Sequence, residues 1–457
     1  MHFFTTLKTR ISSFLGRMEF DRAVYFGIVA RIWGGVAGPV TAVLIISFFS
    51  PILQGYYYTF ANLLALQIFA ELGFGLVIVQ FASHEWSKLR LDETGGITGD
   101  PDALSRLTSL ARFALKWYAT GGVIFAVGLS IGGYFFFSRT PDPTVDWVIP
   151  WFALCLFTGI NLCFIPIWSL LEGCNQVIRV YRFKFYQGLI VSSATWILMV
   201  SGAKLWIPSI SCVVVFVCSL VFLIVKCRRF FETLFASVYT GKIIAWRSEI
   251  LPMQWKIALS WICGYFAFFL FTPVLFHYQG ARIAGQFGMS WNIVGFIGAV
   301  AASWVSPKVP QFGMLIARRE YGELDALFWR VTKTVVVITG LLTVFSWFGV
   351  LLLNVFLPSL AQRLLPPLPF GLFLLAQFLA ASSMSFPTYL RTHKIEPLLL
   401  TSILSGFFIG LSTLILGKYY SVTGMAIGYL AIQMISVPCV VIIWHRCRKL
   451  WHAPVRV

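Results

Sequence analysis

The chain of 457 residues is 58% hydrophobic, 17% aromatic and only 11% charged. With a mean hydropathy of +0.83, these values exclude a water-soluble globular domain of this length. Lys and Arg number 35 against 17 Asp and Glu, a formal net charge of +18; that excess suits a nucleic-acid surface or a membrane protein's cytoplasmic side, and its distribution along the chain argues against nucleic acid.

The opening segment to Arg22 carries Lys8, Arg10 and Arg17 but no short apolar stretch with a small-residue cleavage site. It reads as a basic lead-in lying on the membrane surface rather than a cleavable signal. Beyond it the chain divides into apolar runs of about 20 residues, the length that crosses about 30 Å of hydrocarbon, and about twelve can be drawn. They fall near 24–50, 56–83, 114–137, 148–171, 185–203, 206–225, 257–278, 284–306, 334–357, 368–390, 397–416 and 423–444. The expected fold is all-α, a polytopic membrane protein with about twelve transmembrane helices.

The stretch SPILQGYYYTFANLLALQIFAELGFGLVIVQFAS, Ser50 to Ser83, holds the most information. Pro51 and Gly55 predict a chain reversal, and Tyr56, Tyr57 and Tyr58 predict an aromatic collar where hydrocarbon meets headgroups. Glu71 sits near the middle of the apolar run that follows. An ionised side chain at that depth costs at least about 2.5 kcal/mol, so it faces a bundle interior or a wet cavity. Two readings stand for it: a proton- or cation-binding residue beside Arg31 of the first run, or a staple between two helices while Arg31 snorkels to the headgroups. Asn161, Gln187, Asn292, Gln377 and Gln433 are further polar groups within runs, suited to hydrogen bonds between helices.

With both ends of the chain on one side, only Arg139, Lys204, Arg282, Arg363 and Lys418 of the 35 basic residues fall on the other. This positive-inside bias places both termini in the cytoplasm. The loops on the opposite side are short, the longest being SRTPDPTVDW from Ser138 to Trp147. They offer no carboxylate or metal motif for an enzyme, and no GxxxxGK[ST] phosphate cradle occurs. The nine cysteines form no CxxC pair, and His84, His277 and His393 lack metal-ligand spacing. A transporter without a bound cofactor is the reading that remains.

The chain also repeats itself. Gln54-Gly55 recurs as Gln279-Gly280, and the same offset lays Arg31 on Lys256; Asp102-Ala103-Leu104 returns as Asp325-Ala326-Leu327, and Pro166 as Pro387. An ordered series with a nearly constant offset implies two parallel halves. The expected division is an N-terminal lobe over 1–225, a cytoplasmic link over 226–255 containing an amphipathic segment, and a C-terminal lobe over 256–457.

Two segments carry a resemblance. SPILQGYYYTFANLLALQIFAELGFG with the following QFASHEW, and WRSEILPMQWKIALSWICGYF, resemble the bacterial O-antigen (Wzx-like) oligosaccharide flippases of the MOP superfamily, relatives of the MATE exporters and the lipid II flippases. The resemblance implies two six-helix lobes around a central cavity and alternating access. The substrate it implies is an undecaprenyl-pyrophosphate-linked oligosaccharide, moved from the inner to the outer leaflet of the bacterial cytoplasmic (inner) membrane. It further implies membrane lipids and other polysaccharide assembly proteins as partners, and H+ or Na+ as candidate coupling ions. Relatives use cavity arginines for the pyrophosphate, a role open here to Arg31, Lys256 and Arg282. With Glu71 and Asn292 these are the substrate- or ion-binding candidates, and Gly73, Pro166 and Pro387 are the conformational ones. The alternative is a MATE-like ion-coupled multidrug exporter. A major-facilitator transporter fits less well, because the loop after the second run reads SHEWSKLRLDETGGITGDPDAL in place of a GxxxDRxGR motif.

Overall fold

The computed structural model describes residues 22–139, 141–236, 243–393 and 397–452, with the side chains of 22–25, 27, 28, 31, 32, 253, 256, 260 and 310, Arg31 and Lys256 among them, left outside the description. Backbone polar groups have no water to turn to in hydrocarbon, so each apolar run satisfies them internally as helix. The first span is α1 (Arg22–Phe48). The second is broken into α2 (Pro51–Leu64), a 3-10 turn, α3 (Ile68–Glu71) and α4 (Phe74–Trp86). A short hairpin of β1 (Leu89–Leu91) and β2 (Ile97–Gly99) precedes the third span, α5 (Pro101–Ser138). The fourth is α6 (Val148–Leu162) with α7 (Ile165–Gly173), the fifth α8 (Val177–Val200) and the sixth α9 (Trp206–Phe222), which winds on into α10 (Arg228–Ala236).

The seventh span is α11 (Leu251–Phe268) with α12 (Phe271–Gln279), and the eighth is α13 (Ala281–Val305), followed by α14 (Val309–Arg318). The ninth is α15 (Tyr321–Phe356), then the single turn α16 (Pro358–Ala361), and the tenth is α17 (Pro367–Ser382) with α18 (Ser385–Thr392). The last two are joined as α19 (Leu399–Trp451), which reverses at Ser421, a residue with φ 56° and ψ −151°. The Ser405–Ser436 hydrogen bond of 2.7 Å shows the two arms lying antiparallel. Among the described residues, eight helices are long and apolar enough to cross a membrane, and two further spans qualify as bent pairs.

Two local expectations are corrected. The chain turns at Phe49-Ser50, before Pro51: the Ser50 hydroxyl accepts from the Leu53 amide and Pro51 opens α2, where its missing N–H costs nothing. Gly55 lies inside that helix. Tyr56 and Tyr58 are buried, at 0% and 6% exposure, and form no headgroup collar. Tyr56 packs on Phe137 and Phe276 with ring centroids 5.5 and 4.9 Å apart, so its ring area goes into the protein core. The separate runs 397–416 and 423–444 are the two arms of α19 on either side of Ser421, as expected.

The contacts define two compact units. One includes the first span to Phe48 with Gly73–Ile131 and Val148–Trp255, and the other Phe49–Leu72, Gly132–Trp147 and the chain from Lys256. In the first, Trp33 Nε1 donates to Ser192 Oγ at 3.1 Å and Trp196 Nε1 to Thr41 Oγ1 at 2.9 Å, tying α1 to α8. Asn161 Nδ2 reaches the Cys212 carbonyl at 3.0 Å, and Gln187 Nε2 reaches Val215 O at 3.1 Å and Ser219 Oγ at 3.0 Å, the use expected of amides between helices. The second unit is cored by rings from α12, α13, α17 and α19, including Phe271, Phe287, Phe373 and Tyr429.

Candidate functional site

Within the second unit, α2 lies against α13 along a seam of glycines. A Cβ on Gly55 would strike the Ala281 carbonyl, one on Gly285 would sit 2.8 Å from the Gly55 amide nitrogen, and one on Gly288 would enter the Tyr58 ring. The backbones therefore approach as closely as small residues permit. Gln54, 1% exposed, locks this seam: its Nε2 donates to Gly285 O at 2.8 Å and to Arg363 O at 3.2 Å. Arg282 Nη2 donates to Gln362 Oε1 at 3.3 Å, and Gln286 Nε2 to Gln362 O at 2.9 Å. The Leu365 amide donates to Ser290 Oγ at 2.9 Å. Residues 282, 286 and 290 lie one helical turn apart, so one face of α13 holds the 362–365 connection while its neighbouring face holds α2. Lower on that second face Asn292 Nδ2 donates to Tyr58 Oη at 3.3 Å.

Near the middle of span two, Phe69 packs on Tyr265 and Phe266 of α11, with centroids 5.5 and 6.3 Å apart. Glu71 then closes α3, and Leu72 and Gly73 adopt φ 48° and 67°. Gly73 enters the left-handed region freely, whereas a Leu there carries about 1–2 kcal/mol. The span bends by 43° at this point. Glu71 is half-buried, and among the described residues neither an ion pair nor a hydrogen bond reaches its carboxylate.

Of the candidates, Arg282 and Asn292 thus share α13, and Glu71 belongs to the same unit on span two. Gly73 follows two residues later, at φ 67°. The side chains of Arg31 and Lys256 lie outside the described residues. Pro166 and Pro387 each stand in the first turn of the second piece of a broken span, α7 and α18. Sequence reading missed Gln54, Gln286 and Arg363 as members of the seam. The repeated Gln-Gly pair was the available signal: Gln54 donates to the Gly285 carbonyl and its counterpart Gln279 to that of Gly417, at 3.3 Å.

At the end of the first unit where α5 begins, Arg106 donates to Glu85 at 2.8 Å, to Glu249 at 2.7 Å and to the Ile243 carbonyl at 3.3 Å. The Arg106 hydrogen bond holds the Glu249 carboxyl below the usual glutamate range. Trp246 adds rings to Phe113 and Trp117, with centroids 4.6 and 5.4 Å away. Residues 243–249 are therefore fastened to this unit. In the second unit Arg448 makes a two-pronged pair with Asp325, at 3.0 and 2.5 Å.

Among the described residues, long apolar helices, broken spans and short connections define an all-α polytopic membrane protein. Among solved structures it is similar to the lipid II flippase MurJ in an inward closed conformation, with TM-score 0.63 and 14% identity over 92% of this chain and 87% of that one. An inward-facing multidrug resistance MATE family transporter of the MOP superfamily gives 0.61 and 13%, over 92% and 96%. The MATE multidrug transporter DinF-BH gives 0.59 and 12%, over 95% and 97%. No protein-family model and no curated protein matches the chain.

Proposed function

We propose that this chain is a bacterial inner-membrane flippase that moves an undecaprenyl-pyrophosphate-linked oligosaccharide from the inner to the outer leaflet by alternating access, with both termini cytoplasmic. In this reading the two compact units, which divide span two after Leu72, are the moving bodies. The observation that carries it is the setting of Glu71, a mid-span carboxylate immediately ahead of the Leu72-Gly73 break. Among the described residues those two are the only consecutive pair at positive φ. A charge change at a hinge biases the bend directly, which is what coupling an H+ or Na+ to movement requires. The fold shared with a lipid II flippase supports a lipid-linked substrate, and Arg31, Lys256 and Arg282 are the proposed pyrophosphate partners. A glycan needs such a protein because its hydroxyls cannot keep their hydrogen bonds in hydrocarbon.

The second reading is a MATE-like multidrug exporter, supported by the two MATE neighbours and by the same carboxylate as a cation site. One experiment separates the readings. Glu71→Gln keeps shape and hydrogen bonding but cannot titrate; in a cell lacking the native gene it is expected to accumulate normally while lipid-linked glycan builds up on the inner leaflet. Normal glycan delivery by the variant removes Glu71 from the transport cycle. Normal delivery without the gene at all, with drug sensitivity in its place, replaces the flippase by the exporter.

A further inference from the structure

The second unit carries a cavity of about 410 Å³ that plays no part in the site above. It lies between the C-terminal turns of α5 and α12 and the first arm of α19. Its chemistry is graded. Leu270, Val274 and Leu414 with Phe135 make an apolar floor, and Arg139 and His277 stand at one end. The seven residues from Gly132 to Arg139 put their backbones roughly 10 Å apart along the helix direction. By the charge bias of the loops the Arg139 end is the bundle end with the fewest cations, of which Arg139 is one.

Arg139 is exposed and makes no ion pair among the described residues. The nearest acid in sequence, Asp142, is turned to its own loop, accepting from the Thr144 amide at 2.9 Å and from the Thr144 hydroxyl. His277 packs beside rings, with centroids 6.0 Å from Phe136 and 4.7 Å from Tyr278, and lines the cavity together with Arg139. A cation and a ring donor at one end of a hydrocarbon-lined groove parallel to the helix axes match one kind of molecule, a lipid whose headgroup carries a negative charge. We propose that this groove is a binding site for an anionic phospholipid, its phosphodiester on Arg139 and His277 and one acyl chain on the apolar floor. The site is independent of which substrate the protein moves.

The full chain, purified in detergent, tests this by native mass spectrometry with dioleoyl phosphatidylglycerol, dioleoyl phosphatidylcholine and undecaprenyl phosphate as probes. Phosphatidylglycerol is expected to be retained over phosphatidylcholine, and the double variant R139Q/H277Q to lower its retention at least fivefold while leaving phosphatidylcholine unchanged. Arg139→Lys is expected to keep most of the binding, which shows that the loss follows charge and not misfolding. Gly132→Leu fills the groove from a position with nothing within 4 Å of the added Cβ, and should lower retention of both phospholipids. Equal retention of the two phospholipids by the unaltered protein, or undiminished phosphatidylglycerol on R139Q/H277Q, overturns the proposal. Preference for undecaprenyl phosphate over phosphatidylglycerol overturns the phospholipid assignment.

Discussion

The glycine seam between α2 and α13 sets a quantitative expectation for Gly55→Ala. The atoms an added Cβ would meet are all Ala281 backbone, and on the facing side a Cβ on Gly285 would already sit 3.1 Å from the Gly55 Cα. Ordinary contact begins at 3.4 Å, so no rotamer change relieves the clash and the helices must part by more than half an ångström, roughly, in a close-packed interior. Overpacking of this kind costs about 1–3 kcal/mol, with the Gln54 hydrogen bond to Gly285 stretched in addition. Gly→Ala in a helix otherwise gains up to about 1 kcal/mol. Gly34 and Gly35 of α1 have nothing within 4 Å of an added Cβ, so they isolate that gain. Thermal unfolding of the purified protein should therefore place Gly55→Ala several degrees below the parent, at roughly 2–4 °C per kcal/mol. Gly34→Ala should unfold at or slightly above the parent. A Gly55→Ala protein as stable as Gly34→Ala would mean that α2 and α13 are not in backbone contact, and the seam described above would be wrong.

Two further outcomes follow from the polar groups. Arg106→Met removes the pairs to Glu85 and Glu249, both partly exposed, and should cost about 1–2 kcal/mol at neutral pH. Because the folded-state pKa of Glu249 is depressed, its share is fully present above the ordinary glutamate value of about 4.3 and drains away as pH falls through the lowered value. Melting curves of parent and variant should converge in acid, and a gap that widens there contradicts the pairing. For orientation, single cysteines at Pro143 or Ser421 in a background without the native cysteines should react with an impermeant reagent from outside whole cells, and those at Gly99 or Gly322 should not; the opposite pattern inverts the proposed topology.

The spans were legible because hydrocarbon thickness and backbone satisfaction leave helix as the only economical state for a run of apolar residues. The turn into span two was not, and the reason lies in the medium. In water Pro51 and Gly55 signal a reversal; in a helix bundle Pro suits a first turn and Gly a close helix contact, and both took those roles. The tyrosines were misplaced for a similar reason. An interfacial preference is a property of an isolated ring, and Tyr56 instead finds Phe137 and Phe276, which only tertiary structure brings together. Arg106 shows the limit from the other side: it looks like one of many cytoplasmic cations, and Glu249 lies 143 residues away. The break at Leu72-Gly73 had half a signal, since Gly73 was readable as a bend and Leu72 was not.

That unreadable half gives the candidate site its physical logic. A regular helix through Leu72 would relieve about 1–2 kcal/mol of left-handed strain, so the bend persists only because something in the surrounding structure favours it by more. Phe69 against Tyr265 and Phe266 fixes the chain just before the break, and the seam from Gln54 to Asn292 fixes it further back. The part of the span from Gly73 onward belongs to the other compact unit. The break therefore coincides with the point where the chain passes from one unit to the other, and Glu71 stands two residues before Gly73. A carboxylate that changes charge there alters the free energy of the bent span by about 1.4 kcal/mol for each pK unit by which the two shapes differ. That is comparable with the strain itself. In the proposed flippase reading, this strained break, offset by packing on one side and adjoined by a titratable group, serves as a two-state element whose balance a single proton or cation is large enough to move.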